Sequence, residues 1–238
     1  MNTLEDTIAQ YEPPRHVAEL ARSTKIVLLV GISGAGKDTI KKELLKDSGF
    51  RDIVSHTTRQ PRVNNGVAEV PDEDYHFIDI DTAKKMLADG KFVEAKLVHG
   101  TVYGTSVDEL KKSHDENKTA VTDLDVQGVR EYKDLSQNVV AIFILPPSFT
   151  TWRERLRQRY ESQEAFDAEW DKRRNSAVKE LTHALEAPYY HFIINDELDR
   201  AVEVAKDISS HASDMFFRKD DEERLRARDL LEAIKISL

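Results

Sequence analysis

The sequence predicts an α/β layered domain in which a parallel sheet is flanked by helices and interrupted by a small β-rich insertion. Three observations carry that reading. From Lys25 onward, short aliphatic runs that are apolar on both faces alternate with helical patterns, and such runs suit a sheet covered on both sides. A glycine-rich turn joins the first run directly to the first helix of this alternation. Between residues 52 and 98 the rhythm breaks into short strand-like pieces.

Residues 1–24 are polar, with Pro13-Pro14 as a breaker and a short helix expected over 16–21, so they read as an extension. Strands are expected over 26–30, 120–123, 139–145 and 191–194, where β-branched and aliphatic residues cluster. Helical patterns occupy 37–46, 82–88, 107–114, 126–132, 149–159 and 164–186. Ser106 and Glu109 have the spacing of a capping box at the start of the third of these. Short strands are expected around 74–77 and 92–98 within the insertion. After Asp199 a helix runs to about Ser210, and a charged helix over 221–234 places Leu225, Leu230, Leu231 and Ile234 at its apolar positions. That stripe either packs back on the domain or meets a second copy of the chain. No solenoid period recurs.

Composition narrows the function classes. The 35 Lys and Arg against 44 Asp and Glu leave a net charge of −9, which argues against a duplex-coating protein, since such binding needs a basic, counterion-releasing surface. With no cysteine, disulfide scaffolds, thiol nucleophiles and cysteine-ligated metal sites drop out together. The longest apolar run, 139–145, is far short of the roughly 20 residues that span a bilayer. No cationic, apolar leader opens the chain. A cytoplasmic protein with neither nucleic acid nor membrane as partner is the expectation.

Gly31-Ile32-Ser33-Gly34-Ala35-Gly36-Lys37 follows a strand and opens a helix, the context a phosphate-binding P-loop demands. Its glycines let successive backbone N–H groups converge on phosphate oxygens at a helix N-terminus, while Lys37 neutralises the transferring group. The next residue is Asp38, where the motif expects a Ser or Thr hydroxyl for Mg²⁺. The eight histidines include no His-Glu-x-x-His pair, and His56, His76 and His99 read as strand or turn residues near the site. No Gly-x-Ser-x-Gly elbow is present.

The remaining motifs are Ser55-His56-Thr57-Thr58-Arg59-Gln60-Pro61-Arg62, Glu73-Asp74-Tyr75-His76-Phe77, Phe92-Val93-Glu94, Tyr103-Gly104-Thr105-Ser106 and Asp123-Leu124-Asp125-Val126-Gln127-Gly128. Further along stand Arg155-Leu156-Arg157-Gln158-Arg159, Lys172-Arg173 and Asn195-Asp196-Glu197. In this order and at these spacings the chain resembles guanylate kinases from about Lys25 to Ser210. The loop over 63–74 is about four residues longer than the family pattern, and it holds four carboxylates and no base.

The resemblance implies a P-loop NTPase-type sheet over residues 25–210, with a nucleoside-monophosphate-binding insertion over about 54–106 and a helical lid over about 153–175. Residues 1–24 and 211–238 then become an N-terminal and a C-terminal helical extension. ATP is implied to meet Gly31, Ser33, Gly34, Ala35, Gly36, Lys37, Asp38, Thr39 and Asn195. GMP is implied to meet Ser55, Arg59, Arg62, Tyr75, Glu94, Tyr103, Thr105, Asp123 and Asp125. Lys37, Arg155, Arg159 and Arg173 are implied to act on the transferring group. Mg²⁺ is implied to ride with ATP through phosphates and water, with Asp38 as the protein carboxylate beside it.

Residue chemistry agrees. Arg59, Arg62, Tyr75 and Tyr103 offer two guanidinium forks and two phenols, a set that grips a phosphate dianion. A carboxylate such as Glu94 accepts guanine's adjacent N1–H and amine in parallel, and hydroxyls such as those of Ser55 and Thr105 donate to O6. Adenine would reverse that polarity. Asp38 also suits a ribose 1,5-bisphosphate phosphokinase, and a non-catalytic guanylate-kinase-like binding module is the third reading. The expected state is a monomer or homodimer.

Overall fold

The computed structural model of the chain describes residues 3–64, 67–98, 100–136, 138–211 and 220–237. Its central sheet is parallel throughout. Strands β1 (Ile26–Val30), β2 (Phe50–Asp52), β9 (Thr119–Asp123), β10 (Val140–Leu145) and β11 (Tyr190–Ile194) lie in the order β11-β10-β1-β9-β2. Every residue of β1 and β10 is buried, because helices cover both faces. The carboxyl ends of β1, β9 and β11 lead straight into Gly31, Leu124 and Asn195. Ligands of doubly wound sheets gather along that edge, where the chain leaves β1 between two strands reached from opposite directions.

A second, four-stranded sheet carries the insertion. It consists of β3 (His56–Thr57), β6 (His76–Phe77), β7 (Phe92–Val98) and β8 (Thr101–Ser106) in the order β6-β3-β8-β7, with β7 and β8 antiparallel. A two-stranded ribbon, β4 (Val63–Asn64) with β5 (Val67–Ala68), rises from the loop between β3 and β6. Helices α3 (Lys37–Leu44), α4 (Ile80–Ala88), α5 (Val107–Asp115), α6 (Val126–Leu135), α7 (Phe149–Arg157), α8 (Gln163–Glu186) and α9 (Leu198–Ser210) match the periodic segments to within a few residues at each end.

Four features depart from the sequence reading, each for a local reason. The strands β2, β3, β4, β5 and β8 are not among those the sequence predicts, since the first four are only two or three residues long and β8 contains a glycine. At α5, Ser106 accepts the Glu109 N–H. Glu109 itself turns away to the Val54 N–H and Lys112 Nζ, so only half of the capping box forms. Helix α7 ends at Arg157, whose guanidinium donates to the Tyr160 carbonyl, so Arg159 stands in the turn beyond and not on the helical face of Arg155.

The fourth departure concerns the N-terminal segment, which is less of an appendage than its polarity suggests. Helix α1 (Leu4–Ala9) begins in a full capping box between Thr3 and Asp6. It delivers Ile8, with Leu4 and Tyr11, into the core of the small sheet beside Leu87, Phe92 and Val102. Tyr11 Oη donates to the Phe92 carbonyl at 2.7 Å and accepts its N–H at 3.2 Å. Helix α2 (Arg15–Ser23) then sends Val17 and Ala21 into the main core, so this segment ties the two cores together.

The C-terminal helix α10 (Asp221–Ile236) buries Leu230, Leu231 and Ile234 in the main core, while Leu225 stays exposed. The stripe therefore packs back on the domain. Ahead of it, Asp220 accepts the Phe192 N–H at 2.8 Å and the Arg224 Nε–H at 3.0 Å, and Arg224 donates to the Tyr190 carbonyl at 2.7 Å. These two side chains satisfy backbone groups that edge strand β11 would otherwise leave open. Asp220→Ala should lower the unfolding free energy by about 1–3 kcal/mol, because it orphans a buried N–H and a guanidinium together. Equilibrium denaturation checks this, and an unchanged midpoint would contradict it.

Candidate active site

The phosphate loop is shaped by three glycines with positive φ: Gly31 at 145°, Gly34 at 86° and Gly36 at 96°. A side chain at Gly31 would strike the Ile144 carbonyl, and one at Gly36 would strike the Asn195 amide. Neither position tolerates a Cβ, so the loop lies flush against the ends of β10 and β11. Asn195, 6% exposed, clamps it by donating to the Ala35 carbonyl at 2.9 Å. Trp152 Nε1 holds the Ser33 carbonyl at 2.8 Å. Lys37 Nζ folds back on the Gly31 carbonyl at 2.6 Å, leaving the ammonium inside the loop it serves.

This loop forms one wall of a cavity of about 470 Å³. Gly31, Ser33, Gly34, Gly36, Lys37, Asp38, Asp123, Asp125 and Arg159 come from the parallel-sheet part of the chain, and Ser55, Tyr75, Glu94 and Tyr103 come from the insertion. The parallel sheet thus contributes one half and the small sheet the other. Glu94 is 7% exposed and accepts the Thr105 N–H at 2.9 Å. Burial pushes its carboxyl above the usual range, while Lys96 and the Thr105 hydrogen bonds pull it back. Thr105 Oγ1 lies buried with no hydrogen-bond partner among the described residues. Burial likewise raises the Tyr75 phenol, with Asp123 adding to the effect.

Asp123 ends β9 and receives Lys41 Nζ at 3.2 Å. Asp125 caps α6, accepting the Gly128 N–H at 2.8 Å and Lys96 Nζ at 3.0 Å. A smaller adjoining cavity of about 320 Å³ gathers Arg155, Arg159, Thr39 and Asn195 around Gly34 and Gly36. Arg155 reaches the Asn195 carbonyl at 3.1 Å. Arg159 reaches Ser33 Oγ at 3.3 Å and sits 3.9 Å from the Asp38 carboxylate.

Five expected site residues, Ala35, Thr105, Arg59, Arg62 and Arg173, are not among those that line these cavities. Arg59 is locked in a two-pronged pair with Glu69 of the long loop and lies over the Tyr75 ring at 4.7 Å. The Glu69 and Tyr103 partnerships hold its guanidinium firmly protonated. Arg62 has an exposed side chain, and its backbone N–H donates to Glu69 at 2.8 Å. Arg173 bonds Tyr160 Oη at 3.0 Å and pairs loosely with Glu169. His56 is pushed down to about 4 by burial and then by neighbouring His76, so it is neutral at physiological pH. His99 lies outside the described residues. No cluster of three metal-ligating side chains occurs among the described residues.

Sequence reasoning missed Lys96 and Glu180, which also line the main cavity. Period-two spacing from Glu94 was a signal for Lys96, and the spacing of seven from Arg173 along one helix was a signal for Glu180. No described helix is long and apolar enough to cross a membrane.

Comparison with known proteins agrees with this architecture. The sequence model of the family described as "Guanylate kinase" matches residues 23–212. Guanylate kinase from Geobacter metallireducens is 37% identical over 191 residues, covering 79% of this chain and 89% of that protein. Guanylate kinase from Thiobacillus denitrificans is 39% identical over 173 residues, 72% of this chain and 78% of its own. Guanylate kinase 1 from rice is 36% identical over 195 residues, and the match takes in 80% of this chain but 49% of the longer rice protein. The crystal structure of guanylate kinase from Anaplasma phagocytophilum superposes with a TM-score of 0.56 at 25% identity, covering 83% of this chain and 89% of that one. A phosphate loop facing a buried carboxylate on a small sheet, together with these matches, means that the chain belongs to the guanylate kinase family.

Proposed function

We infer that this chain transfers the γ-phosphoryl group of ATP to GMP, giving ADP and GDP. The observation that carries the reading is the single cavity walled by Gly31–Asp38 on one side and by Ser55, Tyr75, Glu94 and Tyr103 on the other. Two nucleotides entering from opposite sides would meet phosphate to phosphate. The acceptor is already an oxyanion, so the reaction needs no general base, and positioning with charge stabilisation carries it.

On the donor side, the loop N–H groups and Lys37 take the phosphates, with Lys37 Nζ exchanging its bond to the Gly31 carbonyl for a phosphate oxygen. Arg155 and Arg159 approach the same loop from the lid and neutralise charge as it builds on the transferring group. On the acceptor side, Glu94 accepts the two adjacent N–H groups of guanine, and Ser55 and Thr105 face its carbonyl. Tyr75 and Tyr103 hold the GMP phosphate with Arg59 and Arg62. For Arg59 this requires its unused donors or release from Glu69. Arg173 joins only if the lid moves, since Tyr160 and Glu169 now hold it.

Mg²⁺ fits the donor set. This ion keeps several waters and takes one or two carboxylates plus substrate phosphates. Asp38 lines the cavity directly after Lys37, with a 66% exposed carboxylate whose nearest cation is 3.9 Å away. Asp38 would hold the ion there, and the ion would supply positive charge against that of the donor phosphates. Asp38 is also the feature that favours ribose 1,5-bisphosphate as acceptor, yet such a sugar has no paired N–H groups to offer the buried Glu94 carboxylate, which would keep only the Thr105 N–H.

ADP release measured with GMP, dGMP, AMP, UMP and ribose 1,5-bisphosphate offered in turn tests the function. Turnover is expected with the guanine nucleotides, and turnover with the sugar phosphate alone would move the chain to the other reaction. Lys37→Ala should abolish turnover while calorimetry still detects GMP binding. Loss of GMP binding with turnover retained would contradict the donor assignment. Glu94→Gln should reduce kcat/KM for GMP by about a hundredfold or more, because a buried amide cannot accept both guanine donors. Asp38→Ala should raise the Mg²⁺ concentration for half-maximal rate about tenfold, and an unchanged titration would remove Asp38 from the metal's surroundings.

A further inference from the structure

A carboxylate that accepts two N–H groups from a base must stay ionised while fully buried. Glu94 meets that demand under unfavourable conditions, because two further carboxylates crowd it. Asp125 stands at the start of α6, and Glu131 lies six residues along the same helix and lines a cavity together with Glu94. Glu131 Oε2 is buried with no hydrogen-bond partner among the described residues. Burial first, and then Glu94 and Asp125, push the Glu131 carboxyl up to about 7 against the pull of Lys96.

Among the described residues, Lys96 is the cation paired with Asp125 and Glu131. Lys96 follows Glu94 by two residues on the same face of β7 and is 15% exposed. Its Nζ stands 3.0 Å from Asp125 Oδ1 and 3.8 Å from Glu131 Oε1. Gly128 makes room for it, since a Cβ there would lie 3.1 Å from the ammonium. A neighbouring cavity of about 800 Å³ shares Glu94, Lys96 and Glu131 with this cluster and repeats the imbalance. It adds Glu5 and Glu12 from the N-terminal segment and Asp134 from α6, and Lys96 is the one cation among its described lining residues. Tyr11 and Tyr132 also adjoin the cluster, and the main cavity brings Asp38, Tyr75, Tyr103, Asp123 and Glu180 toward it together with two cations of the phosphate side, Lys37 and Arg159, neither of which pairs with Asp125 or Glu131.

We propose that Lys96 and Glu131 are positioning residues for guanine recognition, Lys96 supplying the charge that keeps Glu94 ionised and aimed, and Glu131 competing with Glu94 for that same ammonium. This rests on the assignment of Glu94 to the guanine base. Neither residue need touch the nucleotide, because both act through Glu94. The pair is therefore a charge-balancing device within acceptor recognition, separate from phosphoryl transfer itself.

Steady-state kinetics on full-length wild type, Lys96→Met, Lys96→Arg, Glu131→Gln and the double variant Lys96→Met/Glu131→Gln test it. Lys96→Met should raise KM for GMP about tenfold, the equivalent of one pKa unit on Glu94. Its kcat and its KM for ATP should stay within about twofold, a split that a general loss of structure would not produce. Lys96→Arg should restore most of the affinity. The double variant should bind GMP better than Lys96→Met alone, because removing one carboxylate offsets the lost ammonium. Parallel effects on both substrates, additive losses in the double variant, or an unchanged KM for GMP would each overturn the proposal. A wild type that turns over GMP while the variants behave in any of these ways defeats this proposal alone. A wild type inert toward GMP defeats the functional reading and takes this proposal with it.

Discussion

The turn from β1 into α3 governs the arrangement of everything around it. Three glycines with positive φ let the chain curl within six residues so that its N–H groups point into one small volume. That curl is possible only where neighbouring strands leave no space for side chains, hence the close approach of Gly31 to β10 and of Gly36 to Asn195. Asn195, Trp152 and Arg155 hold the loop or its clamp by single hydrogen bonds. A phosphate site of this kind is a backbone structure, and the side chains around it serve chiefly to keep that backbone in place.

The second half of the site obeys a different constraint. The small sheet exists to bury a carboxylate, and burying a charge is costly unless partners compensate for it. Thr105 supplies one N–H, the nearby Lys96 ammonium, itself paired with Asp125, lowers the cost of the charge, and Glu94 lines the cavity. The donor half is thus rich in N–H groups and cations and the acceptor half in oxygens, which matches the two ends of the nucleotides that the reaction brings together. A net charge of −9 is compatible with that arrangement, because the cations are concentrated where phosphates must sit.

The two terminal segments contribute to the same geometry from outside. Helix α1 and Tyr11 fasten the N-terminus to the small sheet, and α2 fastens it to the main core. The short Pro13-Pro14 link between them therefore spans the two halves of the site. Gly90 turns with φ of 63° directly against Pro14, a close approach that a side chain would block. At the other end, α10 packs on α8 and α7 and seals edge strand β11, whose carboxyl end carries Asn195.

By itself the sequence determined the alternating α/β order, the position of the phosphate loop and the identity of the buried carboxylate's motif. Periodicity and turn chemistry are local properties, and a P-loop is a contiguous one. Residues that act through distant partners were not legible in the same way. The engagement of Arg59 by Glu69, the placement of Arg159 beyond the end of α7, and the convergence of Lys96 with Asp125 and Glu131 each depend on elements far apart in the chain. The polar N-terminal segment belongs with them: its few apolar residues formed no persuasive pattern, yet they complete a core that exists only once β7 and α4 are in place. Local composition decides which elements form, whereas burial and pairing of charge are decided by what packs against them, and only the tertiary structure sets that.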